Sequence, residues 1–254
     1  MRQRLTDIFC VFRIHLARLR AEAGPFVLAA LVFPSAMYLF TNAIGNVEGT
    51  GTVLAQNRVR FLAGSIVFSL SLTAISWLGY LLLENRFTGR LKLFATLPLA
   101  PSSYVFGILI FALAQGMLGT ISLLVVARVL GVHTQLHLPF GVVSLALVVM
   151  LTMLCLCGLS VIIAARARSF SEGSLLTDAL GAGLVFLAPV YYAPETMPGV
   201  LRPLAQLLPT ACAARAVQTT LAGGFAIGNE LIALGLMAAV TLSLGFRLMR
   251  WREE

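Results

Sequence analysis

Six apolar runs divide this chain, and each is about as long as a lipid bilayer is thick. They cover residues 25–44, 61–83, 103–130, 139–164, 174–193 and 226–246. About 20 apolar residues in helical form cross a hydrocarbon core of roughly 30 Å. In lipid every backbone N–H and C=O must be satisfied internally, which leaves helices or a closed barrel. Barrel strands are about ten residues long, and these runs are twice that. The reading is an all-α integral membrane protein with six transmembrane helices, one domain over residues 1–254. Only 11% of the residues are charged and 59% are hydrophobic, against about 25% charged in an ordinary soluble domain. No stretch is long and polar enough to form a second, soluble domain.

The basic residues set the expected orientation. Thirteen of the eighteen Lys and Arg fall in 1–24, 84–102, 165–173 and 247–254, and four fall in 45–60, 131–138 and 194–225. Cytoplasmic loops carry the excess of Lys and Arg, so the first set is placed in the cytoplasm together with both termini. The net charge of +8 therefore reflects topology, and nucleic-acid binding is not expected. Residues 1–24 repeat Leu5, Ile8, Phe9, Phe12, Leu16 and Leu19 at helical spacing, with Arg2, Arg4, Arg13 and Arg20 largely elsewhere. This is the pattern of a helix lying in the membrane interface, and no secretory signal is expected there. Pro34 should kink the first span, and the long third span is read as bent at Gly116 and Gly119 or as tilted in the bilayer.

The cytoplasmic loop after the second run is unusual for a tether. It reads ENRFTGRLKLFATLPLA over 84–100. Written as one helix over 86–97, it puts Phe87, Leu91 and Phe94 in one stripe at i, i+4, i+7 and Arg86 and Arg90 on another face, with Pro98 ending it. Such a helix suits docking into a groove on a soluble partner, or packing on lipid; the residues alone do not decide. After the fifth run, residues 194–225 are cut by Pro194, Pro198, Pro203 and Pro209. The pieces are too short to span, and are read as short helices dipping into the outer leaflet, with an ordinary external loop as the other reading.

Polar residues inside the runs are few. Ser65, Ser69, Thr73, Ser76 and Tyr80 form one stripe on the second run. Small and hydroxyl residues let membrane helices pack closely, and the same stripe would serve to line a substrate path. Asp178 is placed about one turn into the fifth run, with Arg166 or Arg168 as its expected partner. Glu230 opens the sixth run, where a helix N-terminus favours a carboxylate. Both are read as helix-end residues rather than ion sites. His133 and His137 sit at i, i+4 but in a short loop without a nearby acid, so no metal site is expected. Cys10, Cys155, Cys157 and Cys212 give no ligand spacing and no disulfide framework. The one lysine, Lys92, follows Leu91, so there is no Gly-Lys-Ser/Thr phosphate loop, and no Gly-x-Ser-x-Gly elbow occurs. The chain is not expected to be an enzyme by itself.

Two stretches are similar to the permease subunits of type-2 ABC exporters, the ABC-2 family. In ENRFTGRLKLFATLPLAPSSYVFG, Glu84, Gly89, Leu91, Leu97 and Pro98 match the acidic, Gly, Leu-rich and Leu-Pro pattern that links the second and third spans. Thr88 stands where the family often has a second acidic residue. In LAPVYYAPETMPGVLRPLAQLLPTACAARAV, Pro189, Tyr191, Pro194, Met197, Pro198, Pro209 and Arg215 resemble the signature after the fifth span. The resemblance implies a coupling helix at 84–98, with Glu84, Arg86, Phe87, Gly89, Arg90, Leu91, Phe94 and Leu97 contacting a cytosolic ABC ATPase, two copies per transporter. It implies an external re-entrant hairpin at 194–225 and a second permease, homomeric or heteromeric. ATP and Mg would sit on the partner subunit, with no cofactor on this chain. A bacterial-type plasma membrane is implied. Ser65, Ser69, Thr73, Ser76, Tyr80, Tyr191 and Tyr192 become candidates for the substrate path. Apolar spans and scattered aromatics favour a hydrophobic or amphipathic cargo, drug or lipid-like, for export. An ion-coupled secondary transporter or channel without an ATPase, and a non-transporting scaffold, are the alternatives.

Overall fold

The computed structural model describes residues 2–21, 24, 27, 31–45, 52–96, 101–132, 134–136, 139–192, 195, 197–224 and 228–248. Regular structure among them is helical throughout. The elements are α1 (Arg2–Ala21), α2 (Phe33–Gly45), α3 (Thr52–Ser71), a π-helical segment (Leu72–Trp77), α4 (Leu78–Phe87), α5 (Arg90–Thr96), α6 (Pro101–Val129), α7 (Phe140–Arg166), α8 (Phe170–Phe186), α9 (Arg202–Gln206), α10 (Pro209–Leu221) and α11 (Asn229–Leu248). Among the described residues, four helices are long and apolar enough to cross a membrane: Arg58–Phe87, Ser102–Val129, Phe140–Arg166 and Asn229–Leu248. The first expected span is described only in part, at 27 and from 31 into α2, with residues 25, 26 and 28–30 outside the described set. The fifth is the 17-residue α8, roughly 25 Å long at 1.5 Å per residue.

Boundaries moved where capping chemistry overrode hydropathy. The fifth helix begins at Phe170, four residues before the apolar run. Ser169 caps it, its side chain accepting from the Glu172 N–H, and Glu172 Oε2 accepts from the Arg168 N–H at 2.9 Å. Ser-x-x-Glu ahead of an apolar run is a capping-box signal that hydropathy cannot register. The helix stops at Phe186, and its last carbonyls are taken up by distant hydroxyls. Thr210 Oγ1 donates to Leu184 O, and Tyr192 Oη donates to Phe186 O at 3.1 Å. Asp178 therefore lies two turns inside the helix rather than one.

Glycine and small residues set how closely the long helices approach. A Cβ on Gly158 would lie 2.5 Å from Thr241 Oγ1, and one on Gly245 3.1 Å from Val161 Cγ1. That face joins α7 to α11, the most extensive helix pair in the chain, and Thr241 Oγ1 also donates to Cys155 O at 3.1 Å. α6 is assigned as one helix from Pro101 to Val129, Gly116 included. Gly116 admits Met153, whose Sδ would lie 2.9 Å from an added Cβ. Pro34 follows a π-helical pair at 31–32 that runs directly into α2.

The N-terminal helix packs on α6. Val11 is fully buried, and a Cβ on Gly107 would lie 2.7 Å from it. Phe12 meets Phe111 edge-on at 6.0 Å, and His15 lies 5.9 Å from the same ring. The buried face centres on Val11 and His15 and is flanked by Ile8, Phe12 and Leu16 of the expected stripe, while Phe9 of that stripe points outward at 59% exposure. The side chains of Leu5 and Leu19 lie outside the described residues. A glycine in the receiving helix selected the face, and periodicity within α1 cannot see it.

Candidate functional site

The segment 84–96 is an elbow and not one helix. α4 ends at Phe87, and Thr88 and Gly89 turn the chain, Gly89 at φ +76°. Glycine just past a helix end takes this left-handed conformation without a Cβ penalty. Gly89 N–H reaches Arg86 O at 3.4 Å, and Thr88 donates through its N–H and Oγ1 to Glu84 O at 2.9 and 2.6 Å. Glu84 spans the turn to Arg90, Oε1 to Nη1 at 2.9 Å.

The break redistributes the residues expected on one stripe. Leu91 and Phe94 turn inward against the core, Phe94 with its ring 5.1 Å from Tyr104. Phe87 stays outside at 40% exposure, joined by Leu93 at 68%, which sequence reasoning passed over because it is off the expected stripe. Arg86 is also committed within the chain. Its Nη1 donates to Ala164 O at 2.7 Å and to Ala167 O at 2.9 Å, holding the C-terminal end of α7. Beside it, buried Asn85 donates through Nδ2 to Tyr104 Oη at 2.8 Å. The elbow is thus tied at one end to α6 and at the other to α7. Leu97 and Pro98 lie outside the described residues.

The hydroxyl stripe is split by the π-helical segment. Ser65 and Ser69 before it, and Thr73 near its start, are buried inside the chain. A π turn holds more residues than an α turn, so the phase of the helix slips across Leu72–Trp77. Leu78 N–H reaches back to Thr73 O, and Ser160 Oγ donates to Ala74 O. Ser76 near its end and Tyr80 beyond it are only half-buried and face α8. Ser76 Oγ would lie 2.8 Å from a Cβ on Gly181, and Ser71 Oγ donates to Gly181 O at 2.8 Å. Tyr80 Oη donates to Asp178 Oδ2. Asp178 therefore pairs with a phenol on the neighbouring helix and not with Arg166 or Arg168. Tyr191 closes the far end of the stripe, its ring 2.7 Å from where a Gly64 Cβ would be. Tyr192 holds the end of α8 through Phe186 O.

The proline-cut segment after α8 is helical. Its major helix, α10, buries Thr210, Ala211, Cys212, Ala213, Ala214, Ala216, Val217, Thr220 and Leu221 against α3, α7 and α11. Arg215 Nη2 donates to Gln206 O at 3.2 Å, and its Nε lies 3.8 Å from Glu230 Oε1. Glu230 sits in the first turn of α11, where the helix dipole favours it. Pro194, His133 and His137 lie outside the described residues. Among the described residues no group of three or more His, Cys, Asp or Glu is placed to hold a metal. The four cysteines are free thiols, Cys10 exposed and the other three buried.

The elbow between the second and third long helices and the helical segment after α8 are the two places where the sequence is similar to ABC-2 permeases. A family model described as ABC-2 type transporter matches residues 8–222, a range that contains both. A search of curated proteins gave no match. The match takes in the elbow, the paired α4 and α8 and the whole of α10, and on it the chain belongs to the ABC-2 type transporter family.

Proposed function

We propose that this chain is the permease half of an ATP-driven exporter of a hydrophobic or amphipathic substrate, with six spans and both termini in the cytoplasm. Family membership makes it a membrane component of an ABC exporter and not the catalytic one, and such permeases normally work with an ABC ATPase. Two permeases, identical or sister chains, pair around a path, and two ATPase subunits dock on the elbows. ATP and Mg act on those subunits. The outer leaflet receives the hairpin at 194–225. The membrane is a bacterial-type plasma membrane.

The observation that carries the reading is the wiring of the elbow. Phe87, Lys92 and Leu93 face outward, while Arg86, Asn85 and Phe94 hold α7 and α6. A push on the outer residues is delivered to two long helices at once. ATP binding and hydrolysis would shift the spans between states of different access, as far as the ATPase binds those states with different affinity. Ser76, Tyr80 and Tyr191, between α4, α8 and the far end of α3, are the residues proposed to meet the substrate.

The test is recovery of bound protein with the tagged chain in mild detergent. The wild-type chain should bring down a soluble ATPase carrying a phosphate loop. Phe87→Ala with Leu93→Ala should lose it while the membrane domain keeps its elution volume. Phe87→Ala with Leu91→Ala should also loosen the elbow, since Leu91 packs inward. Retention of the ATPase by both double variants would remove the elbow from the interface. Transport that follows an ion gradient with no ATPase recovered would replace the exporter by a secondary transporter.

A further inference from the structure

We infer that Asp178, Tyr80 and Phe170 form a recognition site for hydrophobic organic cations, a deeper reading of the export function proposed above and resting on it. Asp178 lies eight residues inside α8, about 12 Å from its start, and Tyr80 seven residues before the end of α4, about 10 Å. Both positions fall inside the expected spans. An ionisable group there marks function by default, because a carboxylate facing hydrocarbon is costly unless something covers it. Asp178 is exposed. Among the described residues it has Tyr80 Oη as its hydrogen-bond donor and no ion pair. Its negative charge is oriented by the phenol and meets no counter-charge among the described residues.

The surroundings choose the ligand. The Tyr80 and Phe170 rings lie 6.4 Å apart with an interplanar angle of 37°, so the phenol that holds the carboxylate has a second ring beside it. Aromatic faces attract cations, most strongly where water is excluded. Leu175, one turn below Asp178, is 70% exposed, with Leu176 at 41% and Leu180 at 39% on the same helix. A soft cation on a hydrophobic body satisfies all three features: charge on the carboxylate, ring faces on the charged centre, leucines on the body. A strongly hydrated metal ion does not, since the site offers one carboxylate and a phenol. An anion is repelled.

The experiment uses the full chain in phosphatidylcholine nanodiscs, with empty nanodiscs as background. Equilibrium binding of tetraphenylphosphonium and of tetraphenylborate, which share shape and differ in sign, is measured separately. The wild-type chain should bind the phosphonium saturably and the borate only at background. Asp178→Asn should weaken phosphonium binding at least about tenfold, the scale of one charge–charge attraction lost near a protein surface. Tyr80→Phe keeps the ring and should bind better than Tyr80→Leu, a difference that a purely structural hydroxyl contact would not produce. Equal phosphonium binding by Asp178→Asn, or equal binding of both ions by the wild type, overturns the site. So does an Asp178→Asn chain whose main change is loss of self-association, which would give the carboxylate to a second copy. ATPase recovery is scored on the same samples. Asp178-dependent binding without an ATPase would defeat the exporter reading and leave the site, and ATPase recovery without such binding would do the reverse.

Discussion

Gly79 shows how much of this structure is settled by single residues. A Cβ at that position would lie 2.4 Å from Thr177 Cγ2, so α4 and α8 touch only because nothing is there. Gly79→Val should separate the helices at a cost of about 1–3 kcal/mol, the range for overpacking a tight core, seen as earlier aggregation on heating in detergent. Gly183, also on α8, has nothing within 4 Å of an added Cβ. Gly183→Ala should leave thermal stability equal or raise it, since Ala favours a helix over Gly by about 1 kcal/mol. Arg86 is the second such residue. Arg86→Ala leaves the Ala164 and Ala167 carbonyls without their donor and should cost about 1.5–3 kcal/mol, as for hydrogen bonds to charged groups, with Arg86→Lys intermediate because it lacks the planar fork. The sequence marks Arg86 as a basic residue in a loop. It does not reveal that the side chain turns back to the end of α7, because that partner is 78 residues away.

At the level of elements, what was legible was what repeats along one helix. The long apolar helices, their order and the break-rich segment after α8 all follow from hydropathy and proline. What was not legible is where one helix becomes two. Gly89 inside a leucine-rich stretch reads equally as a tolerated helix interior or as a helix end, and the Glu84–Arg90 pair across the turn favours the end. Gly89→Val should be strongly disfavoured, since a left-handed backbone costs an L residue about 1–2 kcal/mol. Gly89→Asn should be milder. The check is the heating midpoint together with ATPase stimulation by the assembled transporter, both falling in the order Gly, Asn, Val. The π-helical segment is a further case. Every residue from Leu72 to Trp77 suits an α-helix, and the widening is supported from outside by Ser160 on α7. Ser160→Ala should cost about 1–3 kcal/mol, the penalty of leaving a buried acceptor unpaired, and should do so without altering the elbow or ATPase binding.

For the whole molecule the decisive property is which face of the membrane each loop occupies, and charge supplies the argument. The elbow carries Arg86, Arg90 and Lys92, and the next loop on that side carries Arg166 and Arg168. The segment after α8 carries Arg202 and Arg215, both engaged locally, Arg202 with Glu195 O and Arg215 with Gln206 O and Glu230. Five basic residues at the elbow's end of the bundle against two in the segment after α8 favour the elbow's end for the cytoplasm, where loops carry the excess of Lys and Arg. Two positions make this measurable, because both are exposed and lie on opposite ends of the bundle: Lys92 on α5, and Val200 at 85% exposure just before α9. In a background lacking the four native cysteines, Val200→Cys should react with a membrane-impermeant maleimide in intact cells. Lys92→Cys should react only after the membrane is opened. The reversed pattern would put the elbow outside the cell, beyond reach of any ATP-consuming partner, and the coupling role of the segment 84–98 would fall with it. Labelling of both positions in intact cells would mean that the number of crossings between them is even, and the helix count from α6 to α8 would have to change.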